Sequence, residues 1–157
     1  ALFIHGRTRE QEYRGRVDYR IIREVKNALQ IPVVASGDIL SPELIKKMFD
    51  ETGCDGVSIA RGALGNPWIF KEATEFLETG RVPERPSIHE LADIMIRHLD
   101  LYSSFYGEKA ATILFRKFFG WYAKGIPHMN SLRDKAFRAE TKECMQELIQ
   151  DMRAALH

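Results

Sequence analysis

Three short stretches of this chain set glycine beside charged or hydrogen-bonding side chains. They are His5-Gly6-Arg7-Thr8-Arg9, Ser36-Gly37-Asp38 and Ala60-Arg61-Gly62-Ala63-Leu64-Gly65-Asn66-Pro67. The chemistry such stretches suit is the capture of an anion. Arg61 offers a planar fork of donors that matches phosphate oxygens. Gly37 and Gly62 carry no Cβ, so a ligand can approach the backbone there. A short turn over 62–65 presents backbone N–H groups that lack helical partners, which also favours an anion. His5 can donate a ring hydrogen bond to a ligand oxygen. Arg7 and Arg9 are expected on the rim, either solvated or facing a polyanion. A purely structural reading uses the same residues: Arg61 and Asp38 as an ion pair, the glycines as turns, and His5 as a capped strand end.

The elements that must position these residues alternate strand and helix. Leu2-Phe3-Ile4 is a short β-rich run. Tyr19, Ile22, Val25 and Leu29 recur at helical spacing behind Asp18, a candidate N-cap. Ile31-Pro32-Val33-Val34-Ala35 reads as a second strand. Ser41-Pro42-Glu43 opens a helix with a capping serine, proline in the first turn and an acid near the positive end of the dipole. Gly53 closes it. Gly56 to Ala60 reads as a third strand, and a helix follows over about 68–77. The order β-α-β-α-β-α with short connections predicts parallel strands joined by right-handed crossovers. The strands are continuous apolar runs, which predicts burial on both faces, as in a barrel or doubly wound sheet. All three glycine-rich stretches then fall at carboxyl ends of strands, where ligands bind in such folds.

Residues 81–86, with two prolines, read as a linker. From 87 to 157 no strand is expected. Ser87 and Glu90 form a capping-box pattern ahead of Leu91, Met95, Leu99, Tyr102 and Phe105. A second helix is expected from Glu108 to Lys124, and a last one through Met145, Leu148, Ile149, Met152 and Leu156. Between 108 and 142 there are eight basic residues against three acidic ones, while the rest of the chain is net acidic. Arg116, Lys117, Lys124, Arg133 and Lys135 lie there among Phe115, Phe118, Phe119, Trp121, Tyr122 and Phe137. Basic helices with interleaved aromatics suit a nucleic-acid backbone; helical spacing of the aromatics also suits an ordinary core.

Composition narrows the classes further. The chain has 157 residues, 45% hydrophobic and 29% charged, with net charge +1. Those values exclude a disordered or collagen-like chain and fit one domain, or one domain with an appendage. No apolar stretch is long enough to span a membrane, and the first residues lack the pattern of a signal peptide. Cys54 and Cys144 are far apart, outside any zinc or disulfide spacing, and read as reduced thiols of a cytoplasmic protein. The abrupt start in a core strand is read as a piece of a longer protein.

Taken in order, His5-Gly6-Arg7-Thr8-Arg9, Gly37-Asp38-Ile39, Gly53-Cys54-Asp55-Gly56-Val57 and Arg61-Gly62-Ala63-Leu64-Gly65-Asn66-Pro67-Trp68-Ile69-Phe70 resemble the tRNA-dihydrouridine synthases. The closest likeness is to the bacterial branch once grouped with nitrogen-regulation proteins. Arg116-Lys117 and Gly120-Trp121-Tyr122-Ala123-Lys124-Gly125 are similar to a motif of that family's helical domain. The resemblance implies the last three βα units of an FMN-binding (β/α)8 barrel over 1–80, a linker over 81–86 and a tRNA-binding helical domain over 87–157. It implies reduction of the C5–C6 double bond of uridine in tRNA, with NADPH as reductant. It places His5 near the flavin. Ser36, Gly37, Asp38, Ala60, Arg61 and Gly62 fall around the FMN phosphate, and Arg7, Arg9, Arg116, Lys117, Lys124, Arg133 and Lys135 face tRNA.

Two positions depart from the family pattern. Ser36 stands where Asn is usual, and Ala60 where Gly is usual. The family's catalytic Cys and flavin-contacting Lys have no counterpart here, since Cys54 and Cys144 match neither position. The chain therefore reads as the C-terminal part of the enzyme, inactive alone, with the N-terminal part of the barrel as its partner. The open edge at Leu2-Phe3-Ile4 could also pair two copies of the chain. Two alternatives use the same motifs: another FMN or sugar-phosphate barrel, such as a dihydroorotate dehydrogenase relative, and an RNA-binding module without flavin. The basic helical half separates the first of these, because a small-molecule barrel has no need of it.

Overall fold

The computed structural model describes residues 1–155. It divides into two compact units, Ala1–Pro83 and the chain from Glu84 onward. The first is α/β, with β1 (Leu2–His5), α1 (Tyr19–Ala28), β2 (Val33–Ser36), α2 (Pro42–Thr52), β3 (Gly56–Ser58), a single 3-10 turn (Arg61–Ala63) and α3 (Ile69–Thr79). The strands lie in the order β1-β2-β3, both pairs parallel. Three sequential parallel βα units of this kind fit a segment of a (β/α)8 barrel.

Local chemistry sets the helix ends. Asp18 caps α1 by accepting from the Ile21 amide at 3.1 Å. Ser41 caps α2 with Pro42 behind it, and Gly53 ends that helix at φ 68°, a left-handed conformation that glycine adopts without penalty. Pro32 has no N–H to give, and Ile31 beside it is half-exposed, so β2 begins at Val33, two residues later than the apolar run suggests. Ile22, Ala35, Ile39, Ile45, Met48, Cys54, Ile69 and Ala73 form the core beneath the sheet.

Burial of β1 and β2 alternates and β3 is half-buried throughout, contrary to the expectation of burial on both faces. Leu2, Val33, Ile4, Ala35 and Val57 share one face by register, and that face packs on the helices. The other carries Phe3, Val34, Gly56 and Ser58, and Phe3 is 72% exposed. Continuous apolar runs were read as doubly buried; here α1–α3 supply cover for one side only.

The second unit is helical: α4 (Ile88–Tyr106), α5 (Glu108–Tyr122), α6 (Asn130–Ala136) and α7 (Lys142–Ala154). The capping box is present, with Ser87 Oγ accepting from the Glu90 amide and Glu90 from the Ser87 amide. Leu91, Met95, Leu99, Phe115, Phe119, Met145, Ile149 and Met152 are its buried center. α5 stops at Tyr122, and the Lys124 amide turns back to the Trp121 carbonyl at 3.2 Å. α6 has no counterpart in the sequence reading: it is seven residues long, has no side-chain cap and buries only Ala136. Leu156, expected on the last helix, lies outside the described residues. Among the described residues no helix is long and apolar enough to cross a membrane.

Candidate functional site

The carboxyl ends of β1, β2 and β3 stand side by side because the strands are sequential and parallel. His5 and Ser36 are register partners, and His5 Nδ1 lies 2.9 Å from Ser36 Oγ. Ser36 Oγ in turn donates to the Ile4 carbonyl at 3.2 Å. With that hydroxyl proton given to the Ile4 carbonyl, the pairing assigns Nδ1 as the donor to Oγ and leaves Nε2 as the second ring nitrogen.

One turn further, Gly37 and Asp38 both have positive φ, at 136° and 48°. Aspartate tolerates the left-handed region better than most side chains. Its carboxylate holds two guanidinium groups. Arg7 reaches both oxygens, Nη1 to Oδ1 at 3.1 Å and Nη2 to Oδ2. Arg61 Nη2 reaches Oδ1. The two arginines hold the Asp38 carboxyl below the usual carboxylate range, chiefly through the Arg7 hydrogen bonds. The Asp38 hydrogen bond in turn raises the Arg7 pKa.

The structural ion pair weighed from the sequence is thus formed, and it also brings Arg61 to the 37–38 turn. The Arg61 side chain remains 43% exposed, with one of its five N–H donors committed to Asp38. Its guanidinium lies 4.6 Å from the center of the Tyr13 ring. The amides of Arg61 and Gly62 open the 3-10 turn, and neither donates to a backbone carbonyl among the described residues. Exposed guanidinium donors and unpaired amides at one strand end fit a phosphate group. Ala60 and Gly62 flank Arg61, and Ala60 offers backbone only.

One expectation is corrected. Arg7 is not a rim residue facing tRNA: its side chain is 1% exposed, and it also donates to the carbonyls of Arg14 at 3.2 Å and Gly15 at 2.7 Å. Arg9 is exposed. The glycines also clear space for protein. A Cβ on Gly62 would stand 2.1 Å from the Ile39 carbonyl oxygen, and one on Gly37 would stand 2.8 Å from Val17. Tyr13 was missed altogether, although an aromatic inside a polar loop was a visible signal.

On the helical unit, Lys117, Lys124 and Lys135 are exposed and Arg133 is partly buried. Lys117 Nζ lies over the Phe118 and Trp121 rings, at 5.4 and 5.9 Å. Arg116 does not join them as a free cation: Nε and Nη2 both donate to the Ala139 carbonyl, at 2.9 and 2.7 Å. That guanidinium ties α5 to the segment after α6. The interleaved aromatics are partly core, with Phe115 and Phe119 fully buried. Three of them, Phe115, Phe118 and Tyr122, ring His98 together with Tyr102 of α4, and His98 Nδ1 is 3.2 Å from the Tyr122 hydroxyl. Burial lowers the His98 pKa and pushes the Tyr122 hydroxyl up to about 12.

The model of the dihydrouridine synthase family matches residues 1–156. This chain belongs to the dihydrouridine synthase family. It is 45% identical over 156 residues to tRNA-dihydrouridine synthase B of Xanthomonas axonopodis pv. citri, covering 99% of this chain and 47% of that protein. It is 41% identical over 133 residues to the synthase B of Pseudomonas aeruginosa, covering 85% and 40%. A probable tRNA-dihydrouridine synthase of Rickettsia bellii is 39% identical over 130 residues, covering 83% and 40%. The chain spans about half the length of these curated relatives and matches their C-terminal part.

Proposed function

We propose that this chain supplies the phosphate end of an FMN site and an RNA-docking surface to an enzyme that reduces uridine in tRNA to dihydrouridine. The observation that carries the reading is the meeting of Arg61 with the Gly37–Asp38 turn at adjacent strand ends. Arg61 and the amides of Arg61 and Gly62 would hold the phosphate. His5, fixed by Ser36, would present Nε2 toward the cofactor, and Gly37 and Ala60 would offer backbone beside it. The flavin, reloaded by NADPH, supplies the hydride for the C5–C6 bond of uracil when bound. The target base must leave the tRNA stack to reach it. Lys117, Lys124 and Lys135, with Arg133 and Arg9, would contact tRNA phosphates, giving a salt-dependent affinity.

The names of the relatives, which specify tRNA and dihydrouridine, support this reading over another phosphate-binding barrel. The remaining strands of the barrel would come from sequence outside these 157 residues, and cytoplasmic tRNA is the expected substrate pool. Titration of the chain with FMN and with riboflavin, followed by flavin fluorescence, tests the phosphate site. FMN should bind more tightly than riboflavin, and equal affinities would end the proposal.

A further inference from the structure

The loop over residues 7–16 carries no regular structure, yet its two ends are tied together by one guanidinium that also grips the Asp38 carboxylate. Arg7, at its start, grips both oxygens of Asp38 and the carbonyls of Arg14 and Gly15 near its finish. A guanidinium with a 1% exposed side chain, spread over two carbonyls and a carboxylate, closes the loop on itself. Between those anchors the loop lifts Tyr13 under the guanidinium of Arg61. Arg61 is therefore held from two sides, by Asp38 at its edge and by an aromatic face beneath. Both supports depend on Asp38: one directly, the other through Arg7 and the loop.

We propose that Asp38 is a positioning residue that couples the folding of the 7–16 loop to the grip of Arg61 on a phosphate monoester, with Arg7 and Tyr13 as the connecting parts. This deepens the functional reading above and rests on it for the ligand. Asp38 leaves most Arg61 donors uncommitted, so it orients the guanidinium without consuming it. The opposite role, a counter-ion competing with phosphate for Arg61, makes the opposite prediction: removing the carboxylate would tighten phosphate binding.

Asp38→Asn suits the test because Asn also tolerates the left-handed backbone at this position. Two readouts apply to the 157-residue chain. The first is ligand-free tryptic cleavage after Arg9, Arg14 and Arg16, located by mass spectrometry. The second is the Kd of inorganic phosphate, with FMN and riboflavin alongside to separate free phosphate from a flavin-borne one. In Asp38→Asn, loop cleavage should speed up and phosphate should bind about tenfold more weakly. Arg7→Lys keeps the charge but loses the fork, and should do the same without touching ligand. Asp55→Asn, at the opposite end of the strands, destabilises the same unit and should leave loop cleavage unchanged. If Asp38→Asn fails to fold, Tyr13 decides, because its side chain is 71% exposed. Tyr13→Ala should weaken phosphate binding about two- to fivefold, and Tyr13→Phe, which keeps the ring, should restore it. Tighter or unchanged phosphate binding in Asp38→Asn, or no effect of Tyr13→Ala, overturns the coupling while leaving the phosphate site standing. A wild-type chain that binds neither phosphate nor FMN overturns both.

Discussion

At the scale of single residues, charge and space make separate demands on this site. Arg61→Ala should weaken FMN by roughly 10- to 100-fold, the range for a lost charge-assisted hydrogen bond, and leave riboflavin unchanged in the same fluorescence titration. Gly62 is constrained by space instead. A methyl group there meets a backbone carbonyl that has no rotamer to escape into. Gly62→Ala should lower the stability of the α/β unit by about 1–3 kcal/mol, read by urea unfolding. His98 sets a pH dependence in the helical unit. Its folded pKa is depressed by burial, so the unfolded chain takes up a proton first as pH falls. Stability from this residue is complete above the ordinary histidine value near 6.5 and declines as pH drops below it, until the folded pKa is passed. Urea midpoints for the helical unit at pH 7.5 and 5.5 should differ, and His98→Phe should shrink the difference. An undiminished pH effect in that variant would assign the titration elsewhere.

At the scale of elements, the arginines on α5 and its neighbors show how far composition alone can mislead. Eight basic residues in one stretch gave a correct count of charge but not its use: Arg116 is committed to the Ala139 carbonyl, while Lys117 and Lys124 face outward. Arg116→Leu should therefore destabilise the helical unit by about 1–3 kcal/mol, through the unpaired carbonyl, and leave the salt slope of tRNA binding unaltered. Lys117→Glu with Lys124→Glu should instead flatten that slope, since each phosphate contact contributes roughly one unit of log K against log salt. Filter binding at several salt concentrations distinguishes them. The same contrast explains what could be read in advance. Asp18, Ser41 and Ser87–Glu90 act on amides within a few residues, and Gly53 turns its own amide back to the Phe49 carbonyl, so their elements were legible. α6 has no cap and one buried residue, so nothing local announced it. The meeting of Arg61 with Asp38 followed from strand order, which short β-α connections dictate. The burial of Arg7 did not follow, because it depends on the path of an irregular loop whose carbonyls carry no side-chain signature.

At the scale of the whole molecule, the question is what three βα units can do without more strands. A parallel sheet is stable when both faces are covered, and this one leaves Phe3 exposed and two edges unpaired. An eight-stranded barrel cannot close on three strands, so on the function proposed above a cofactor's phosphate would be held here while its ring end would lack an opposite wall. Proton delivery to the reduced base also needs a donor at the carboxyl face of the sheet. Cys54 is 6% exposed and precedes β3, at the opposite end of the strands from Asp38, and Cys144 lies on α7. The Cys54 thiol therefore cannot serve that face. The 157-residue chain, incubated with unmodified tRNA, FMN and NADPH, should therefore yield no dihydrouridine by mass spectrometry of nucleosides while still binding tRNA in a salt-sensitive manner. Product formed by this chain alone would mean that a proton donor and a complete cofactor pocket exist within these residues, and the reading of this chain as inactive without the rest of the barrel would have to be abandoned.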